Sequence, residues 1–178
     1  MSRWVVAAAV AALWAPAATA GPASEAVLVN PFGDPFVQAT DGRPCAAPRG
    51  PAYTERERRT EAHSRAERGT TCWLAGRCTE PNAYRYDAAN ATAAVASLRA
   101  DRSLVDSAIW VTAQRRFIYL EGCVAAAAQA ARAEAVVKAL PDVDRVIPTL
   151  ALPGERLPYA VAGAASCTTG AGCRGPSR

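Results

Sequence analysis

Residues 107–124 read SAIWVTAQRRFIYLEGCV, two alternating stretches separated by a pair of arginines. Ile109, Val111 and Ala113 fall on one side of the first stretch, and Trp110, Thr112 and Gln114 on the other. In the second, Ile118, Leu120, Gly122 and Val124 oppose Phe117, Tyr119, Glu121 and Cys123. A period of two sustained this long is the pattern of strands, and two strands joined this closely form an antiparallel hairpin. The parity gathers Trp110, Phe117, Tyr119 and Cys123 on one face and the aliphatic residues on the other. A sheet covered on one side in water normally keeps its free side polar. Three rings there make that face either a contact surface rimmed by Arg115 and Arg116 or the floor of a second core.

The flanking segments supply the first core. DAANATAAVASLRAD places Ala91, Ala94, Val95 and Leu98 at helical spacing. AAAAQAARAEAVVKAL is rich in helix formers, carries Val136, Val137 and Leu140 as its larger apolar contacts, and ends at Pro141-Asp142. VDRVIPTL reads as a third strand, and Pro148 favours an edge position because it has no N–H for a ladder. The order helix, strand, strand, helix, strand makes the last crossover parallel and the hairpin antiparallel. Residues 87–150 are therefore expected to form an α+β unit, an αββαβ sandwich with a three-stranded mixed sheet and both helices on one face.

These residues resemble the BON domain, the family named for bacterial osmotically induced and nodulation proteins. The similarity is carried by Val95, Leu98 and Asp101; by Ile109 and Val111; by Ile118, Leu120, Gly122 and Val124; by Arg132, Ala133 and Val137; and by Val143 and Val146. Two positions depart from it. Arg115-Arg116 stands where relatives usually carry Asp/Asn-Gly, and Pro141-Asp142-Val143 where they carry Pro-Gly-Val. A two-residue hairpin turn needs positive φ at both positions, which opposes arginine, so a wider or strained loop is expected. The resemblance implies a non-enzymatic module that binds phospholipid or other cell-envelope surfaces, in proteins of the periplasm or envelope associated with osmotic stress protection.

The rest of the chain is of a different character. Residues 1–20 carry Arg3, an alanine-rich apolar stretch and Ala18-Thr19-Ala20 before Gly21, the pattern of a secretory signal peptide. Its apolar part is shorter than the ~20 residues that span a bilayer. Residues 21–86 are expected to be a loop-rich extension, dense in Pro and Gly at its start, with one helix over 54–68. Thr54 and Glu57 have capping-box spacing, and Gly69 is a stop. Glu55 and Arg59, and Glu61 and Arg65, have supportive i,i+4 spacing on an otherwise charged helix. Residues 151–178 are low in complexity and are expected to be a disordered tail. Cys45, Cys72, Cys78, Cys123, Cys167 and Cys173 all follow the leader, an even number suited to disulfides in an oxidising compartment. Cys72 and Cys78 suit a local bridge rather than a zinc site, and Cys167 and Cys173 repeat that spacing. Cys123 points from the aromatic face and could meet Cys45, Cys72 or Cys78, stapling the extension across it.

Charge and chemistry narrow the function. The formal net charge is +4, with nine arginines against eight acids in residues 21–86 and seven basic against seven acidic groups in residues 87–150. No basic block of the kind nucleic acid requires is visible. His63 is the only histidine and lies on the charged helix, so neither a thiol nor a hydroxyl nucleophile has a base at hand. Asn90 begins a glycosylation sequon that falls inside a helix. The expectation is an exported protein, periplasmic or secreted, without catalytic, cofactor-binding or metal-binding residues. Its partner is a phospholipid surface or an envelope protein, with Trp110, Phe117, Tyr119, Arg115 and Arg116 as the candidate binding face. The alternative is a periplasmic protein–protein scaffold without lipid affinity.

Overall fold

The computed structural model describes residues 27–162. The expected signal peptide and the Cys167/Cys173 pair lie outside them. The alternating stretch forms two antiparallel strands, β4 (Ser107–Gln114) and β5 (Phe117–Val124), with Val111 opposite Leu120 and Gln114 opposite Phe117. β5 crosses through a helix, Ala127–Lys138, to a parallel strand, Arg145–Ala151, in which Pro148 sits at the sheet edge. A second helix, Asp87–Ala100, precedes β4. Leu98, Ala94 and Val95 from the earlier helix and Ala133 and Val137 from the later one close over Ile109, Val111, Ile118 and Leu120, most of them without solvent exposure. The fold class is α+β with a mixed sheet, as the residue pattern indicates.

Gly122 shows how tightly this layer is built. Its φ is 141°, and a Cβ there would lie 1.9 Å from the Ala108 carbonyl oxygen. A side chain would therefore clash with the neighbouring strand.

The sheet has four strands rather than three. An additional strand, β2 (Phe36–Asp41), from the extension pairs antiparallel with β4, giving the order β2-β4-β5-β6, where β6 is Arg145–Ala151. β4 is buried along nearly its whole length on both faces, which suits a central strand and not an edge. Its free backbone groups need a partner. β2 escaped the pattern because a bulge between Gln38 and Thr40 breaks its alternation. The Arg99 guanidinium secures the bulge, with Nε donating to Ala39 O at 2.9 Å and a terminal nitrogen to Gln38 O at 3.0 Å.

The extension is also more ordered than its composition suggests. β1 (Val27–Val29) pairs with β3 (Ala52–Thr54), followed by α1 (Glu55–Gly69), the short α2 (Thr71–Leu74) and a 3-10 turn at Ala83–Tyr86. Thr54 caps α1: its hydroxyl accepts from Glu57 N–H at 3.2 Å, and the Glu57 carboxylate accepts from Thr54 N–H at 2.7 Å. The turn runs directly into α3 (Asp87–Ala100); α4 is Ala127–Lys138.

The start of the tail, expected to be largely disordered from about Leu152, has backbone partners in the extension. Arg49 N–H donates to Ala160 O at 2.7 Å and Ala162 N–H to Ala47 O at 2.9 Å, a pairing that encloses the fully buried Pro48. Tail backbone groups thus find partners in the extension, a non-local pairing invisible to composition.

Candidate functional site

The β4–β5 turn has two residues, so of the expected wider or strained loop it is the strained form that occurs. Arg115 has φ 55° and Arg116 φ 66°, both left-handed. Left-handed backbone costs about 1–2 kcal/mol per non-glycine residue. Asp87, the first residue of α3, offsets it. One carboxylate oxygen accepts from Arg115 N–H at 2.7 Å and the other from Arg116 N–H at 2.8 Å. Charge-assisted bonds of this kind contribute about 1.5–3 kcal/mol each, enough to match the strain. Asp87 is 3% exposed, and burial pushes its carboxyl up to about 6 even though the two N–H donors favour the charged form.

The held turn projects both arginines, and neighbouring rings orient them. The Arg115 guanidinium lies 4.6 Å from the Phe117 ring centre, and that of Arg145 lies 5.5 Å from the same ring. Arg116 lies 5.1 Å from the Tyr86 ring, and its Nε donates to Asp142 O at 2.8 Å. The Tyr86 hydroxyl accepts from Thr79 N–H at 3.0 Å and Glu80 N–H at 2.9 Å, fastening the chain just after Cys78. The Cys72–Cys78 disulfide closes the preceding loop and brings Arg77 to the same place. Arg68, Arg77, Arg115, Arg116, Phe117 and Asp144 line a cavity of about 220 Å³. Trp73 and Leu74, 48% and 73% exposed, follow Cys72 on the outside of that loop.

The other sequence-derived candidates are placed differently. Trp110 is only 8% exposed, opposite Glu121, so it offers no open contact. Cys45 is bonded to Cys123, and this bridge ties the extension across the sheet. The Phe36 ring packs against Gly50 over the same face. Tyr119 is half-buried and lines a cavity of about 210 Å³ with Arg49, Tyr53, Gln114 and Glu121. Burial raises the carboxyl of Glu121 and the hydroxyl of Tyr119 above their ordinary ranges. On that face Trp110 is buried, whereas Phe117 and Tyr119 keep partial exposure. Of the candidate face, Arg115, Arg116 and Phe117 gather at the hairpin end, while Trp110 and Tyr119 lie under or beside the cover.

A polar knot joins cover to hairpin. Gln114 Nε2 donates to Asp34 Oδ2 at 2.6 Å and to the Tyr53 hydroxyl at 2.9 Å. Arg65 also bonds Asp34 and is stacked between the rings of Phe32 (4.2 Å) and Tyr84 (4.5 Å). Asn90, buried, donates from Nδ2 to Asp142 O at 3.0 Å, tying α3 to the loop after α4.

His63 is exposed on α1, 3.2 Å from Glu67, and no cysteine among the described residues is free. No described helix is long and apolar enough to cross a membrane. Sequence reasoning missed Asp87, Arg68, Arg77 and Tyr86 as parts of the hairpin end. Only the disulfide spacing hinted that Arg77 was held in place; the other three reach the turn by tertiary contact. No curated protein matches the chain. Residues 86–153, running from the end of the Ala83–Tyr86 turn through β6, match the family model of the BON domain, the family that the residue spacing resembles.

Proposed function

We propose that this chain is an exported, non-enzymatic binding protein whose BON domain attaches to the phospholipid surface of the cell envelope by the hairpin end of its sheet. The observation that carries this reading is the pairing of an exposed apolar step, Trp73-Leu74, with four arginines around one cavity next to it. Tryptophan and leucine suit the boundary between headgroups and acyl chains. Each arginine near an anionic surface adds about 1 kcal/mol. The disulfides at Cys45–Cys123 and Cys72–Cys78 support an oxidising compartment, in keeping with the expected leader. A part in osmotic or envelope stress protection rests on the family alone.

The test is co-sedimentation of the oxidised chain with vesicles of phosphatidylcholine and of phosphatidylcholine mixed with phosphatidylglycerol. Binding to the anionic vesicles, lost in Trp73→Ser/Leu74→Ser without loss of folding, is the expected result. Failure to sediment with either vesicle overturns it in favour of a protein–protein scaffold, a reading consistent with the balance of seven basic and seven acidic groups in residues 87–150.

A further inference from the structure

We propose that the cavity between the Cys72–Cys78 loop and the hairpin turn is a binding site for a phosphoryl anion, carried by a lipid headgroup or free in solution. Several arginines on the chain have a carboxylate at short range: Arg58 and Arg59 have Glu55, Arg65 has Asp34 and Glu61, Arg85 has Glu80, and Arg132 has Asp101. At this cavity four arginines come together around one acid. Among the described residues, the guanidinium groups of Arg68, Arg77 and Arg115 have no carboxylate in salt-bridge range, and that of Arg116 spends one nitrogen on a backbone carbonyl. Asp144 is the only acid in the lining, so four positive charges face one negative.

Such a concentration of one sign in a cleft attracts anions, and most strongly those of more than one charge. Guanidinium forks match the oxygens of phosphate, and their planar donors need to be held in place to select it. Here they are held. Asp87 fixes the backbone of Arg115 and Arg116, the rings of Phe117 and Tyr86 carry their guanidinium groups, and a disulfide closes the loop that bears Arg77. Two arginines maintained in left-handed backbone, where glycine is the easy choice, point to a use for their side chains. The lipid form of the proposal rests on the surface-binding reading above; the soluble form does not.

The experiment is a chemical-shift titration of the oxidised, full chain with inorganic phosphate and with glycerol 3-phosphate, against acetate and chloride at equal ionic strength. Saturable shifts at Arg77, Arg116 and Phe117 with the phosphates alone are expected. Arg68→Gln/Arg77→Gln, a change of two exposed side chains, should keep the thermal midpoint and weaken binding by about tenfold or more. Shifts no larger than those with chloride, or undiminished affinity in that variant, overturn the site. Phosphatidylglycerol vesicles then separate the sources. Displacement by phosphate assigns the site to a headgroup, and soluble binding without displacement assigns it to free phosphate. Vesicle binding without any phosphate binding removes the site and leaves the surface reading standing; phosphate binding without vesicle binding does the reverse.

Discussion

The carboxylate of Asp87 holds Arg116 in a conformation that arginine avoids: its oxygen lies 2.8 Å from the Arg116 amide nitrogen, whose residue has φ 66°. A second oxygen does the same for Arg115 at 2.7 Å. Asp87→Ala leaves two amides without their acceptor and the backbone strain in place. It should cost about 2–4 kcal/mol, measured by urea unfolding, whereas Asp87→Asn, which keeps one acceptor oxygen, should cost less.

The same residue gives stability an unusual dependence on pH. Its carboxyl titrates at about 6 in the fold against an ordinary 3.8, so the native state binds the proton more tightly than the unfolded chain. The stabilisation is complete below the unfolded value and is lost as pH rises through about 6. Glu121, also raised by burial, acts in the same direction. Glu55, lowered to about 2 by Arg58 and Arg59, and Asp101, lowered to about 2 by the Ser103 hydroxyl and Arg132, act oppositely and only at more acid pH. Between pH ~7 and ~5 the urea midpoint should rise by the equivalent of about 1.3 kcal/mol, and Asp87→Asn should flatten most of that slope.

Replacing Arg115-Arg116 by Asn-Gly removes the strain with the turn type unchanged. The variant should be more stable by about 1–2 kcal/mol and should lose phosphate and vesicle binding together. Greater stability with undiminished binding would show that the arginines serve neither.

The Cys45–Cys123 bridge joins residues 78 apart and should stabilise by about 4 kcal/mol in the chain-entropy model. The Cys72–Cys78 bridge spans only six and should contribute about 2 kcal/mol. Paired Cys→Ser variants, compared by denaturant midpoint, should show that order. Peptide mapping of alkylated native protein should find none of these four cysteines labelled.

Trp110 lies beneath the extension, so Trp110→Ala should destabilise by about 3 kcal/mol or more through the cavity it leaves. Vesicle binding per folded molecule should be unchanged, since the hairpin end does not use that side chain. Loss of binding in a fully folded Trp110→Ala would instead restore the aromatic face as the contact.

Local pattern determined much of this protein. The alternation of residues 107–124, the two helical spacings around it and the Pro148 edge were enough for the α+β class, the facing of every side chain in the hairpin and the resemblance to the BON domain. Each of those depends on periodicity and on steric rules that act within a few residues. Tertiary structure alone decided the rest. β2 joins the sheet because β4 has an unpaired edge, residues 160–162 pair with 47–49 across the cover, and Trp110 is thereby buried. The tight Arg115-Arg116 turn exists because a carboxylate 28 positions away reaches its amides. The cationic cavity at the hairpin end likewise joins α1, a disulfide loop and a turn that are distant in sequence. Such contacts are chosen by the requirement that buried donors, acceptors and apolar faces find partners, and that requirement is met only when the whole chain is in place.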